Sequence, residues 1–205
     1  DRLVESGGSF DLEVQGLHRD GHRFWARVIG EAEAGDPSAS RITGTLQDIS
    51  TDKRAEETLR IQARTDPLTG LMNRDAVLNE LAERLADESR ATVAVLYIDL
   101  DRFKTVNDVL GHNAGDELLM QAAARIQRAV GAGGQVARFG GDEFLVVCDA
   151  GANQELPVQL AEAVLAAFNE SFRFGKDEFA ITTSIGLACA PDDGLRPQQL
   201  IQNAD

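Results

Sequence analysis

The sequence predicts an α+β layered fold for most of the chain. Residues Ala91–Ile98, ATVAVLYI, are almost uninterrupted apolar residues, which is typical of a strand buried on both faces. Two hairpin-like stretches follow, at 135–148 and 171–189. Helical patterns alternate with them, at 67–87, 115–130 and 157–169, and a last helix is predicted to begin near Pro197.

Composition limits the function classes. A length of 205 residues suggests one or two domains, and the net charge of −14 argues against nucleic-acid backbones and anionic membranes as partners. An acidic protein can still bind a nucleotide when metal ions offset the charge. No apolar stretch reaches the ~20 residues that span a bilayer. Cys148 and Cys189 lie in apolar runs, so we expect buried, reduced thiols in a cytoplasmic protein, although other segments of the protein could tether it to a membrane.

Residues 1–50 contain three strand-like segments, SFDLEVQGL, HRFWARVIGEAEA and SRITGTLQDIS. Turn-forming residues join them at Asp20-Gly21 and at Gly35-Asp36-Pro37-Ser38. His18 and His22 flank the first turn, and we expect both to be simply exposed. A charged helical stretch follows at Thr51–Arg64.

These strands and the Asp48-Ile49-Ser50 junction resemble the C-terminal part of a PAS sensor domain. The resemblance implies a partial PAS domain at 1–50 and a linker helix at 51–65. Ala55, Leu59 and Ala63 form a thin apolar stripe on that helix. The stripe fits a two-chain coiled coil that transmits the sensor state, and it also fits a solvated spacer helix, so both interpretations stay open.

Two acidic clusters are the candidate functional residues. Asp99 and Asp101 follow the buried strand, and Asp142 and Glu143 follow a Gly140-Gly141 turn. Both glycines suit a tight hairpin that a ligand's phosphates can approach closely. Mg²⁺ prefers hard oxygen ligands, commonly one or two carboxylates together with substrate phosphates. Two such ions roughly 3.5–4 Å apart would stabilise the attacking and leaving oxygens of a nucleotidyl transfer.

Four segments, RTDPLTGLMNR, IDLDRFKTVNDVLGHNAGDELL, RFGGDEF and TTSIGLA, resemble in order and spacing the GGDEF domain of diguanylate cyclases. The resemblance implies a GGDEF domain at 66–205 whose central antiparallel sheet, flanked by helices, is like that of nucleotidyl cyclases and the polymerase palm. It implies condensation of two GTP into cyclic di-GMP and two pyrophosphates, with two Mg²⁺ or Mn²⁺ ions per active site. It also implies a homodimer, because each chain supplies half of the site.

The same resemblance assigns roles to individual residues. Asp99, Asp142 and the Leu100 carbonyl are expected to hold metal. Asp142 and Glu143 are the expected catalytic residues, with Asp142 beside the attacking 3′-hydroxyl and Glu143 in support. The expected substrate-binding residues are Phe103 and Lys104 for the β- and γ-phosphates, Asn107 and Asp116 for guanine, and Gly140 and Gly141 at the turn.

The sequence departs from the family pattern in two places. Gly131 and Gly134 stand where many cyclases carry the Arg-x-x-Asp of a product-inhibition site, so we expect no such site. Beyond a sequence like Asn203-Ala204-Asp205 the family continues with a helix bearing a phosphate-clamping Lys and Arg, then a final strand. We therefore expect this fragment itself to be weakly active or inactive.

Two functional interpretations follow. The first is an active cyclase under PAS control. The second is a catalytically silent GTP-binding module that regulates an adjacent EAL phosphodiesterase, because FRFGKDEFAITTSIGLA and APDDG resemble GGDEF domains that precede EAL domains. A purely dimerising scaffold is disfavoured, since it needs no intact carboxylates at three separate positions.

Overall fold

The computed structural model describes residues 8–32, 42–87, 92–150, 155–174 and 177–205. The chain divides into two compact units, Asp1–Ile61 and Gln62–Asp205. Within the described ranges, none of the helices has the length and apolar character needed to traverse a bilayer.

The N-terminal unit contains an antiparallel sheet of three strands in the order β1-β2-β3. The strands are β1 (Gly8–Leu17), β2 (Arg23–Ala32) and β3 (Ile42–Asp48), which confirms the three predicted strands. The β1–β2 turn needs Gly21, whose φ is +89°. The predicted turn at 35–38 lies outside the described residues, and the assignment to a PAS domain stays a prediction.

Helix α1 (Ser50–Arg64) follows β3, and no residue of it is buried. Its start is fixed by two hydrogen bonds, since the Ser50 amide donates to Asp48 Oδ1 at 2.9 Å and the Ser50 hydroxyl accepts from the Trp25 amide at 2.9 Å. Leu59 is 66% exposed, so no described residue covers the centre of the apolar stripe. Both interpretations of the helix remain predictions.

The C-terminal unit is built on a four-stranded antiparallel sheet in the order β5-β6-β4-β9. The strands are β4 (Val93–Leu100), β5 (Gln135–Gly140), β6 (Glu143–Asp149) and β9 (Thr183–Cys189). Every residue from Val93 to Ile98 is buried, as the apolar run predicts. The strand continues to Leu100, however, so Asp99 lies within the ladder and not beyond its end.

Helices cover both faces of this sheet, which confirms the α+β fold. Ala94, Leu96 and Ile98 of β4 face a core that includes α3 (Phe103–Leu110), α4 (His112–Val130) and α5 (Glu155–Ala167). Val95 and Tyr97 face the opposite core, with α2 (Arg74–Ala86) and α6 (Pro197–Ala204). Successive side chains of β4 therefore point alternately into the two cores, one on each face of the sheet. Cys148 and Cys189 are free and buried, as expected, and burial raises the pKa of the Cys148 thiol to about 12.

Two helix predictions were wrong in their boundaries. The helix predicted at 67–87 begins only at Arg74, because Gly70 takes a φ of +71° and Asn73 caps the helix by accepting from the Ala76 amide. The helix predicted at 115–130 is preceded by a second helix, α3. Gly111, with a φ of +84°, separates α3 from α4.

The predicted hairpin at 171–189 was also wrong. Strands β7 (Phe172–Phe174) and β8 (Asp177–Phe179) pair with each other in a separate two-stranded sheet, and β9 joins the central sheet. Asp177 and Glu178, in the middle of the predicted hairpin, belong to β8, while residues 175–176 lie outside the described ranges. Alternating apolar residues do not reveal which sheet a strand joins.

Candidate functional site

The sheet brings both acidic clusters to one edge. Asp99, next to the end of β4, is paired with Glu143, the first residue of β6. The Leu100 amide donates to the Asp142 carbonyl at 3.3 Å, so the Asp142 backbone adjoins the end of β4. The structure thus places together the residues predicted to hold metal and to act in catalysis: Asp99, Leu100, Asp142 and Glu143.

A tight turn between β5 and β6 carries the second cluster. Gly140 pairs with Glu143, with a register shift after Arg138, and Gly141 takes a φ of +49°. Apart from Gly141 and its two neighbours in the chain, no atom of the described residues lies within 4 Å of the point where a Cβ would stand on Gly141. Glycine is needed there for its backbone conformation, and the surface beside it is open to a ligand.

Asp99 lies in a strongly negative environment. Burial raises the pKa of its carboxyl, and four further acidic residues raise it in the same direction: Asp142, Glu143, Asp101 and Asp205. A divalent cation would remove this repulsion while accepting carboxylate oxygens as ligands. The donor set at this edge, carboxylates and a main-chain carbonyl, therefore fits Mg²⁺ or Mn²⁺.

Replacing Asp99 by asparagine is expected to stabilise the metal-free chain. The folded-state pKa is raised, so ionised Asp99 lowers the free energy of unfolding at neutral pH, and the loss disappears as pH falls through that raised pKa. We expect a higher Tm for D99N at neutral pH, where a rise of about 2–4 °C corresponds to about 1 kcal/mol. Calorimetry without metal measures it, with exposed Asp192→Asn as the control.

The same variants can be compared again after Mg²⁺ is added. Mg²⁺ should raise the Tm of the wild-type chain and of D192N, and should leave D99N nearly unchanged. Two results together would contradict the repulsion described above. They are a D99N Tm no higher than that of wild type without metal, and an equal rise in Tm of both chains when Mg²⁺ is added.

Asp101 belongs to the acidic sequence cluster but is already engaged. Its carboxylate accepts hydrogen bonds from the Thr182 and Ser184 hydroxyls, the latter at 2.9 Å, and its amide donates to the Thr182 carbonyl at 3.0 Å. These hydrogen bonds connect the segment after β4 to the start of β9. Asp99, Asp101 and Thr182 line an open cleft of 630 Å³, a volume in the usual range for small-ligand sites.

The segment after Asp101 is shaped by an unusual backbone conformation. Arg102 has a φ of +63°, and it is the one non-glycine residue with positive φ among the described residues. Phe103 and Lys104 then open helix α3, where backbone amides have no partner within the helix. Lys104 is exposed. Both residues predicted to receive phosphates therefore lie at a helix start beside the cleft.

Asn107 and Asp116, predicted to bind guanine, lie on the adjoining helices α3 and α4. A Cβ on Gly115 would come within 1.9 Å of Asn107 Oδ1, so the Asn107 side chain lies directly against Gly115. Asp116, the next residue, is exposed. The absence of a side chain at position 115 leaves the space that Asn107 occupies.

Sequence reasoning missed the role of Arg138. Its Nη1 lies 3.3 Å from both Asp66 carboxylate oxygens, and its Nε and Nη2 donate to the Gly141 carbonyl at 3.0 and 2.8 Å. Burial acts to raise the pKa of Asp66, but hydrogen bonds from Thr69 and Arg138 hold it below its usual value. Arg138 thus ties the carboxylate-bearing turn to the segment before α2. The sequence signal that could have revealed it was the position of Arg138 two residues before the Gly140-Gly141 turn.

Met72 reinforces the same connection. It forms isolated β-bridges with Thr65 and with Ala137, and its carbonyl accepts from the Arg138 amide at 2.9 Å. Asn73 connects this point to the end of α1, because its amide donates to the Arg64 carbonyl and its side-chain Nδ2 to the Ala63 carbonyl, both at 2.9 Å. Asp66 and Asn73 thus both make contacts that hold the segment before α2 in place.

Tyr97 is a second residue that sequence reasoning passed over. The side chain is buried at 8% exposure, and its pKa is raised by burial and by a hydrogen bond with Glu143. A protonated phenol can donate that bond and so fix the orientation of the Glu143 carboxylate. The apolar run around Tyr97 concealed this polar contact.

The fold and the acidic edge define a palm-like α+β domain, and comparison with known proteins specifies the family. The family model described as "Diguanylate cyclase, GGDEF domain" matches residues 63–205. The chain therefore belongs to the GGDEF-domain family.

Two curated relatives and one solved structure illustrate the similarity. An "uncharacterized signaling protein" of Caulobacter vibrioides is 40% identical over 163 residues, which cover 78% of this chain and 20% of that protein. The cyclic di-GMP phosphodiesterase PdeR of Escherichia coli is 37% identical over 158 residues, covering 77% of this chain and 24% of PdeR. The chain thus spans a quarter or less of the length of these relatives. The crystal structure of a sensory box/GGDEF family protein from Caulobacter crescentus matches with a TM-score of 0.65 and 41% identity, over 69% of this chain and 93% of that one.

Proposed function

We propose that the chain is the nucleotide-binding and catalytic part of a diguanylate cyclase, which condenses two GTP into cyclic di-GMP and two pyrophosphates. The observation that carries this proposal is the convergence of Asp99, Asp142 and Glu143 at one sheet edge, beside an open cleft. Their mutual repulsion favours a divalent cation, and such ions are what nucleotidyl transfer requires.

Asp99, Asp142 and the Leu100 carbonyl would hold two Mg²⁺ or Mn²⁺ ions. When bound, these ions neutralise phosphate charge and lower the pKa of the 3′-hydroxyl that attacks. Asp142 takes up the proton of that hydroxyl, and Glu143, oriented by Tyr97, supports the metal side of the site. Lys104 and the amides that open α3 hold the terminal phosphates. One chain binds one GTP, so condensation requires a homodimer.

Asn107 and Asp116 would select guanine. A carboxylate accepts hydrogen bonds from guanine N1–H and N2–H₂, and an amide donates to N3 or O6. Adenine lacks the paired donor edge, so it would leave carboxylate lone pairs unmatched at a cost of roughly 1–3 kcal/mol. The contact between the Asn107 side chain and Gly115, the residue before Asp116, supports this assignment.

Replacing Gly115 by alanine is expected to weaken GTP binding about tenfold, since the new Cβ would displace the Asn107 side chain and with it about one hydrogen bond. The fold should persist, because alanine favours a helix over glycine and the displaced atom ends a flexible side chain. Titration with a fluorescent GTP analogue measures the change. Asn107→Ala should lose a similar amount, and the double variant should lose no more than either single variant. Additive losses would show that Gly115 does not act through Asn107.

The N-terminal unit is proposed to be the C-terminal part of a PAS domain, with α1 as the linker through which it would act on the cyclase. The exposed Leu59 supports a two-chain coiled coil over α1. We place this assembly in the cytoplasm, because GTP is available there and because reducing conditions there keep thiols such as those of Cys148 and Cys189 free.

A second candidate function is favoured by one comparison. PdeR, 37% identical over 158 residues, is named a phosphodiesterase, so a GGDEF domain of this kind can belong to a protein that degrades cyclic di-GMP. In that case the domain binds GTP without turnover and regulates an adjacent EAL domain.

One experiment distinguishes the two candidates. This chain and the full-length gene product are incubated with GTP and Mg²⁺, and cyclic di-GMP and linear pGpG are followed by mass spectrometry. Accumulating cyclic product supports the cyclase. Binding of GTP without product, together with GTP-dependent cleavage of added cyclic di-GMP by the full-length protein, would establish the regulatory module instead. No metal-dependent GTP binding at all would overturn both.

A further inference from the structure

The β1–β2 turn of the N-terminal unit gathers three metal-ligating side chains. His18, Asp20 and His22 each place one donor atom within 4.8 Å of the donor atoms of the other two. The imidazole rings of His18 and His22 stack, with centroids 4.4 Å apart and 12° between their planes. His22 Nδ1 lies 2.6 Å from Asp20 Oδ1. This is the one such cluster of His, Cys, Asp and Glu found in the part of the chain that the structure describes.

The backbone of the hairpin imposes this arrangement. The His18 amide donates to the His22 carbonyl at 2.8 Å, and the Gly21 amide donates to the His18 carbonyl at 2.9 Å. His18 and His22 therefore continue the antiparallel register that pairs Leu17 with Arg23, and their side chains share one face. Phe24 packs edge-on against His18, with centroids 5.6 Å apart, and limits the freedom of that ring.

We propose that this turn binds a divalent transition-metal ion of the Zn²⁺ class, through His18, Asp20 and His22. Two imidazole nitrogens and one carboxylate oxygen form a typical three-residue donor set for such an ion, with the remaining positions left to water. Zinc–ligand distances of about 2.0–2.1 Å require donors roughly 3.3 Å apart. The stacked rings of His18 and His22 must therefore rotate out of their parallel arrangement to direct both nitrogen lone pairs at one ion, and their exposure leaves room for that rotation.

The chemistry separates this site from the acidic edge of the C-terminal unit. Asp99 and Asp142 offer oxygen donors, which suit Mg²⁺, whereas imidazole selects borderline ions such as Zn²⁺, Co²⁺, Ni²⁺ and Cu²⁺. All three side chains of the turn are exposed, and a cavity of 310 Å³ lined by His22, Asp48 and Ser50 adjoins them. Solvent can therefore reach the ion and complete its coordination.

A turn without metal is the competing explanation. Asp20 Oδ1 accepts a hydrogen bond from the His22 amide at 3.2 Å, a contact that shapes many turns by itself. That contact accounts for Asp20, but it does not require histidine on both sides of the turn. An ion would join β1 to β2 across the turn and so stabilise the folded hairpin.

The test uses the full chain without a histidine tag, so that its only histidines are His18, His22 and His112. His112 belongs to the C-terminal unit and serves as an internal control. Imidazole resonances are followed by NMR during titration with Zn²⁺ in the presence of excess Mg²⁺, which occupies the carboxylate edge. We expect the His18 and His22 resonances to shift together and saturate at one equivalent, while the His112 resonance stays in place. Equal response of all three histidines, or no response at micromolar Zn²⁺, would overturn the proposal.

Variants add an independent readout. His18→Gln and Asp20→Asn should each weaken Zn²⁺ binding about tenfold or more, measured by calorimetry in excess Mg²⁺. Asn at position 20 retains the turn-forming character of Asp, so a loss in D20N reports on the ligand and not on the turn. His112→Gln should bind like wild type. Unchanged affinity in H18Q and D20N would overturn the site even if Zn²⁺ binds the chain. Neither outcome depends on GTP turnover, so the proposal fails or stands separately from the cyclase.

Discussion

Replacing Asp142 by alanine is expected to lower cyclic di-GMP synthesis by about 10³-fold or more. A metal-held transition state is worth several kcal/mol, and each 1.36 kcal/mol is a factor of about ten in rate. The fold should be retained, because the backbone of Asp142, and not its side chain, accepts the hydrogen bond from Leu100. Product formation by the full-length gene product, followed by mass spectrometry, measures the effect.

Two controls make this result specific. Glu162→Ala removes an exposed carboxylate from α5 and should leave synthesis unchanged. Asp142→Asn keeps the size of the side chain but removes its charge, and it should be nearly as inactive as D142A. Synthesis by D142A within about tenfold of wild type would refute the metal role of Asp142.

Phe144→Ala is expected to destabilise the C-terminal unit by about 3–5 kcal/mol. Phe144 follows the two carboxylates in sequence, yet its side chain is fully buried in the core on the α4 and α5 side of the sheet. Its backbone pairs with Ile98 and Arg138, so it lies one residue from the point where the two acidic clusters meet. Urea unfolding followed by circular dichroism measures the loss.

Phe139→Ala is the matched control for this prediction. Phe139 lies on the same hairpin but is only half-buried, beside Tyr97 and Arg74. We expect a smaller loss of stability there. Equal losses at the two positions would mean that burial of Phe144 is not what holds the hairpin in place.

Sequence reasoning was most successful where a local pattern has one structural solution. The run Ala91–Ile98 can be satisfied only by a strand covered on both faces, and the Gly140-Gly141 pair followed by a second apolar run predicts a hairpin. Once the structure pairs β4 with β6, Asp99 and Asp142 come to the same end of the sheet. The metal and guanine roles of the individual residues remain predictions.

It was least successful where the outcome depends on contacts between distant segments. The true start of α2 at Arg74 depends on the turn at Asp66–Thr69 and on Asn73, which periodicity does not reveal. Strands β7 and β8 have an alternating pattern that suits any sheet. Arg138 shows its role only when Asp66, 72 residues away in sequence, is seen beside it.

The contacts of Met72 and Asn73 have a mechanical consequence. Ala63 and Arg64, the last residues of α1, are joined through Asn73 and Met72 to Arg138, whose guanidinium holds the Gly141 carbonyl one residue before Asp142. A rotation of the final turn of α1 would be passed along this line of hydrogen bonds as a displacement of the Asp142 carboxylate. The metal site proposed above would tolerate little displacement of this ligand. The end of α1 thus lies within a few hydrogen bonds of the turn that carries Asp142, which makes it a short path for mechanical coupling.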